Sequence, residues 1–136
     1  MEDCIFCKIV KGDIPAAKVY ENKDTVAFLD IAPANKGHCL IVTRDHFETL
    51  LDIPDEKLGL LMEAAKKVTR ALSLSVGNGA YNILMNNGEV AGQVVKHAHL
   101  HVIPRFKKDL LRLKWINRKY ETGEIHEFAA KIKKFL

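Results

Sequence analysis

Between residues 18 and 44 the apolar positions come in short runs separated by turn residues, the pattern of strands. "KVYEN" (18–22) and "TVAFLDI" (25–31) are rich in β-formers and close enough together to predict an antiparallel hairpin. "PANKG" (33–37) reads as a loop, and "HCLIVTR" (38–44) is apolar almost throughout, as a strand covered on both faces must be. The period then changes. Leu58, Leu61, Met62, Ala65, Val68 and Leu72 recur every three or four residues and make one apolar stripe, so a long helix is expected. Pro54 lies near its start, Asp55 and Glu56 suit the positive end of its dipole, and Gly77 lies beyond its end. Strand character returns in "AYNILMN" (80–86) and, after the loop "NGEVAGQ" (87–93), in "VKHAHLHVI" (95–103), closed by Pro104. "GEIHEFAAKIKKF" (123–135) predicts a terminal helix. Because the long helix sits between runs of strands and does not alternate with them, the fold class is α+β: a five-stranded antiparallel sheet with a long helix and a C-terminal helix.

One of these strands has an unusual polar pattern. In "VVKHAHLHVIPR" (94–105), three of the six histidines fall within five positions. Residues two apart in a strand share a face and lie roughly 6.6–7 Å apart. His97, His99 and His101 are therefore expected to project together, with Ala98, Leu100 and Val102 turned to a helix-backed core. A lone strand histidine is usually a hydrogen-bonded core residue. Three in register would desolvate three imidazoles with no compensating gain, so chemistry is the better reading. Imidazole offers metal ligation or nucleophilic and acid–base catalysis. "EVAGQVV" (89–95) leads into the row, and Gly92 there lets backbone approach a ligand closely, with consecutive N–H groups forming an anion nest.

These residues, "GQVVKHAHLHVIPR" with "CIFCKIVKGDIPAAKVYENKDTVAFLDIAPANKGHCLIV" upstream, resemble the histidine triad superfamily over most of residues 4–105. The resemblance implies a sheet dimerised into a continuous ten-stranded one, and hydrolysis or transfer at the α-phosphate of a nucleotide, with purine nucleoside phosphates as the expected substrates. It makes His99 the nucleophile that forms a nucleotidyl-imidazole, with His101 contacting phosphate oxygens and helping the leaving group depart. His38 becomes a supporting residue near the site. Amides around Gly92, Gln93 and Val94, with the Asn86 side chain, would hold the phosphates. Asp30 would accept hydrogen bonds from the ribose hydroxyls, and Ile5, Phe6, Ile9, Phe28 and Ile31 would wall the base pocket, although ordinary core is the competing reading for these five. After the Gly-Gln, many relatives carry Ser or Thr, whereas Val94 has no hydroxyl to offer a leaving group. "VKH" is similar to the fragile histidine triad branch, whose members split dinucleoside polyphosphates.

"CIFC" places Cys4 and Cys7 in a Cys-x-x-Cys pair with no second such pair, so a zinc site would have to recruit histidines. His46 and His97 are the candidates, since two thiolates and two imidazoles suit tetrahedral zinc. A redox pair is the alternative, though nothing else resembles a thioredoxin-like unit. Some triad relatives and the hexose-phosphate uridylyltransferases use the Cys4, Cys7, His46, His97 arrangement, which implies structural Zn2+ with no open coordination position. Cys39, in an apolar strand, reads as a small core residue, and His126 as surface.

Composition narrows the rest. A chain of 136 residues, 48% apolar and 28% charged, suits one globular domain spanning 1–136. No apolar run is long enough to cross a membrane, and the acidic opening "MEDCIFCKIVKGD" lacks a signal-peptide core, so a cytoplasmic protein is expected. Residues 105–136 hold ten Lys/Arg against four Asp/Glu, whereas residues 1–104 hold eleven against thirteen. This basic extension suggests an anionic partner or simply a solvated face. "RFKKDLLRLKWINRKY" (105–120) interleaves cations with Trp115 and Tyr120 in the manner of a strand-binding surface, but its leucines favour packing on the domain or a dimer partner. Three readings follow: a nucleotidyl hydrolase or transferase using His99, a nucleotide-binding regulatory module with incidental catalysis, and a nucleic-acid-end processing enzyme.

Overall fold

A computed structural model describes residues 3–136; Met1 and Glu2 of the acidic opening lie outside the described residues. Five antiparallel strands, β1 (Lys18–Glu21), β2 (Thr25–Leu29), β3 (Cys39–Thr43), β4 (Tyr81–Leu84) and β5 (His99–Pro104), form one sheet in the order β1-β2-β3-β5-β4. The helices are α1 (Ile5–Lys11), α2 (Asp55–Val76) and α3 (Glu124–Lys133). Every predicted strand is present, each a residue or more shorter than its β-rich segment. The largest trim is in β5, which starts at His99 and not at residue 95. His97 therefore precedes the strand, in a turn whose N–H donates to Val95 O, and the three-histidine row is two strand residues plus one loop residue.

Register explains why β3 is apolar throughout. Val42 pairs with His99 and Leu40 with His101, so those side chains share one face with Val26 and Phe28 of β2. Cys39, Ile41, Leu100, Val102 and Ala27 occupy the other, against Leu61, Ala64, Ala65 and Val68 of α2. Met62, expected in that stripe, is instead about half exposed, and Ala64 and Thr69 are buried. Ala64 and Ala65 are packed in the same core cluster as the sheet residues, and small side chains there allow close approach of helix to sheet.

Helix α1 had no signal in the hydrophobic pattern, being only seven residues long. Its first turn is capped by a thiol: the Cys7 N–H donates to Cys4 Sγ at 3.4 Å. Phe6 and Ile9 then pack with Val26, Phe28, Leu40 and Val42, closing the histidine face of the sheet. Just before β3, Gly37 has a φ of +98°, a conformation that favours glycine, and a Cβ there would lie 2.9 Å from Leu72 Cδ1, whose side chain would have to shift. Among the described residues no helix is long and apolar enough to cross a membrane.

Candidate functional site

His99 projects from β5 onto the face covered by α1, buried, with its ring nearly perpendicular to that of Phe6 at a centroid distance of 5.0 Å. Its Nδ1 lies 2.6 Å from His97 O, and a carbonyl can only accept. The proton therefore sits on Nδ1 and leaves Nε2 as a bare lone pair. Burial lowers the basicity of this ring, opposed by the same carbonyl bond and by the Asp30 charge. A neutral imidazole with its lone pair fixed is a nucleophile at neutral pH.

His101 is oriented by a chain of bonds that starts at the backbone. The Ala34 N–H donates to His38 Nδ1 at 3.0 Å, so the His38 proton is on Nε2, which donates to His101 Nδ1 at 2.9 Å. His101 consequently carries its own proton on Nε2. Burial, then the neighbouring His99 and His38, holds His101 down to about 4, well below the usual 6.5, so it is neutral. His38 is also lowered by burial, with the Asp30 carboxylate 3.8 Å from its Nε2 acting in the opposite sense. Asp30, His38 and His101 bring three ligand-type atoms within 4.8 Å of one another. Both His38 nitrogens are already engaged, so this cluster is a tautomer relay and not a metal cage.

These rings open into a cavity of about 460 Å³, the size of a small-ligand pocket. Ile5, Phe6, Ile9, Phe28 and Ile31 supply apolar wall, and Asp30, Asn86, Gly92, Val94, His99 and His101 also line it. Ile31 is 99% exposed and Ile5 45%, so ordinary core does not account for them. Phe6, Ile9 and Phe28 are buried and serve as both wall and core. Asp30 Oδ1 accepts from the Ala32 N–H at 2.9 Å, which fixes the carboxylate.

Two of the three expected phosphate-holding amides are turned inward. Gly92 N–H donates to Glu89 O and Gln93 N–H to Gly88 O, because residues 89–91 form a 3-10 turn. The Val94 N–H has no protein partner among the described residues. Gln93 does not line the cavity: its buried side chain accepts from Gly88 N–H at 2.8 Å and donates to Glu48 O at 2.6 Å and Val95 O at 3.2 Å. It positions the loop. Gly92 at φ +93° faces the Asn86 amide, which donates to Gly92 O at 3.4 Å.

A second cluster lies on the far side of His97. Cys4, Cys7, His46 and His97 place their ligand atoms within 4.8 Å of one another. His97, fully buried, has Nε2 2.9 Å from Thr43 O; it must donate there, so Nδ1 is the lone pair. That Nδ1 lies 3.5 Å from Cys4 Sγ and 3.6 Å from Cys7 Sγ, and His46 Nδ1 lies 3.3 Å from Cys7 Sγ. The edges of a tetrahedron with metal–sulfur bonds of about 2.3 Å and metal–nitrogen bonds of about 2.0 Å are roughly 3.3–3.8 Å. The four groups fit a metal ion. Burial raises the Cys7 thiol and lowers His46, so without a cation both favour their neutral forms.

The structure thus splits the expected histidine row between two sites. His126 is at the surface, as expected. What sequence reasoning missed are backbone groups: Ala34 N–H, Thr43 O and His97 O set the three tautomers, and a backbone atom leaves no trace in residue identity. Ile14, Pro15 and Ala16 also line the cavity, though "GDIPAA" reads simply as a turn.

The HIT domain family matches residues 11–108. The chain is a HIT-domain protein. It is 42% identical to the adenosine 5'-monophosphoramidase hnt1 of Schizosaccharomyces pombe, over 96% of this chain and 98% of that protein. A crystal structure of a HIT family member from Bacillus subtilis superposes with a TM-score of 0.93 at 39% identity, covering 98% of this chain and 97% of that one. A zinc-bound histidine triad family protein from Mycobacterium smegmatis gives 0.78 at 32% identity, over 99% of both chains. In this HIT-domain protein the matched span includes His99, His101, His38 and the loop before them, and stops short of most of the basic extension.

Proposed function

We propose that this protein hydrolyses nucleoside phosphate conjugates at the α-phosphate through a nucleotidyl-His99 intermediate, with an adenosine 5'-phosphoramidate as the model substrate. One observation carries the reading: the Nε2 lone pair of a neutral, buried His99, held by the His97 carbonyl, beside a cavity of about 460 Å³ with one apolar and one polar wall. Nε2 attacks phosphorus, the P–N bond breaks, and the amine leaves with the bonding pair and a proton from solvent. Water then cleaves the N–P bond, releasing the nucleoside monophosphate and returning the imidazole. The His101 Nε2–H donates to a phosphate oxygen where negative charge accumulates, joined by the Val94 N–H and the Asn86 amide. Asp30 accepts from the ribose, and the aliphatic walls with Phe28 hold the base. The relatives' phosphoramidase name supports this choice of leaving group. Dinucleoside polyphosphates are the alternative conjugate.

Incubation with adenosine 5'-phosphoramidate should release AMP, with a labelled nucleotidyl-histidine trapped by acid-free denaturation. His99→Ala should abolish both. Tight nucleotide binding without turnover in the wild type would overturn the reading in favour of a binding module.

The Cys4, Cys7, His46, His97 cluster is proposed to hold Zn2+, which the donor set and spacing suit. When bound, the ion supplies a structural cross-link between α1, the segment after β3 and the loop entering β5. The residues themselves do the positioning: Thr43 O orients His97, whose own carbonyl orients His99. A homodimer joined across β4 is also proposed. That strand is a sheet edge, Tyr81, Ile83 and Met62 beside it are exposed, and the nearby Thr69 Oγ1 is buried with no partner among the described residues.

A further inference from the structure

On the face of the sheet opposite the histidines, a groove of about 450 Å³ runs between the C-terminal half of α2 and strands β1 to β3. Val68, Leu72 and Val76 line one side, Val19, Leu29 and Cys39 the other, and the exposed Lys36 and Lys67 border it. The reaction has no use for it.

The chain carries an element shaped for such a groove. In α3, Ile125, Phe128 and Ile132 recur at helical spacing to make one apolar stripe, and every residue from 125 to 133 is exposed. An amphipathic helix with its apolar face in water is not stable alone at ten residues. Its acidic first turn, Glu124 and Glu127, complements Lys36 and Lys67. The Bacillus subtilis structure reaches its TM-score over 98% of this chain, which requires the extension to superpose along with the sheet. The extension therefore takes a similar course in both structures.

Where the arm begins decides which groove it serves. Its root is pinned: Asn35 donates to Pro104 O, and Arg105 grips Asp109 at 2.8 Å. Pro104 Cγ lies 3.5 Å from where a Cβ would sit on Gly37, a groove residue, so the arm leaves from the end of its own groove, yet none of its residues lines that groove. Residues 112–123 can span about 40 Å when extended. Crossing five strands at about 4.8 Å spacing takes about 24 Å. We propose that α3 of one copy docks in the α2–β1 groove of a second copy, exchanging arms across the dimer. The reach argument rests on the β4-edge dimer proposed above.

Full-length protein, hydrogen exchange at residues 124–133 and sedimentation velocity test this together. The expected result is a dimer whose α3 amides exchange at least tenfold more slowly than in Phe128→Asp, with protection lost on dilution to monomer. Ala71→Glu, at an exposed groove position, should lose the same protection while keeping the wild-type circular dichroism spectrum; Lys67→Glu should lose part of it. A one-to-one mixture of Phe128→Asp and Ala71→Glu should restore protection only to the helix of the Ala71→Glu copy, which peptide mass identifies. Protection that survives dilution, or a mixture that restores none, overturns arm exchange in favour of docking within one copy or none. A dimer with unprotected α3 overturns this inference alone. A monomer at every concentration overturns it together with the edge-pairing dimer.

Discussion

His97 and His99 are two residues apart in one motif, yet their rings face opposite tasks. His97 donates its Nε2–H to Thr43 O and turns a bare Nδ1 toward two thiols. His99 donates its Nδ1–H to His97 O, which leaves Nε2 bare on a ring that lines the cavity. The residue type is the same and both are buried; a single carbonyl acceptor on each decides which nitrogen reacts. Tautomer, more than pKa, assigns the roles. The difference also couples the sites, because the carbonyl that holds His99 belongs to the residue that completes the thiol cluster.

The sharpest way to test that contrast is to remove each ring in turn. His99→Ala should lower kcat/KM on the phosphoramidate by on the order of 10⁴-fold, the scale of removing a covalent nucleophile. His97→Ala should instead cost on the order of 3–5 kcal/mol in denaturant unfolding, through a core void and loss of any bound ion, with metal content by mass spectrometry falling to zero. If the two variants share one phenotype, the division of labour is wrong.

Next in size, Gln93→Ala removes a side chain that bonds Gly88 N–H, Glu48 O and Val95 O. It should lower kcat/KM about 10²-fold, since misplacing a positioning loop costs that much. Because Gln93 does not touch the cavity, nucleotide KM should move less than kcat. Asp30→Asn should raise KM for ribonucleotides about tenfold, by weakening a charge-assisted acceptor, and 2'-deoxy substrates should lose less.

The smallest effect is on acid stability. His101 sits at about 4 when folded against an ordinary 6.5, with Asp30, His38 and His99 around it. Between those values the unfolded chain takes up a proton that the native ring refuses. The stability from this site is complete above pH 6.5 and is lost as pH falls toward 4. His101→Asn should therefore flatten the melting temperature over that window, and an unchanged slope would remove His101 from the account.

Much of this was legible from pattern. The β3 run predicted coverage on both faces, and α1 with Phe6 and Ile9 is what covers the second one. The alternation of His99, Leu100, His101 and Val102 predicted a histidine face and a core face, and the register places them on opposite sides of the sheet. Spacing carried too far at Met62, which is about half exposed, and at His97, where strand alternation extends two residues into a turn. Helix α1 was missed because seven residues give less than two turns in which a period could show. The resemblance puts the Gln93 amide among the phosphate-holding groups, whereas its N–H is spent on Gly88 O and its side chain reaches Glu48 O, forty-five residues away.

The amino-acid sequence alone determined which side chains are available for chemistry and, through apolar periodicity, which face of each element they occupy. That information is local, because side-chain direction follows from a repeat of two or of 3.6 residues. Only the tertiary structure decided which nitrogen of each imidazole is bare, which amides are spent within the loop, and that Cys4 and Cys7 meet His46 and His97. Those outcomes depend on carbonyls and amides brought together across the sheet, and every residue carries the same backbone groups.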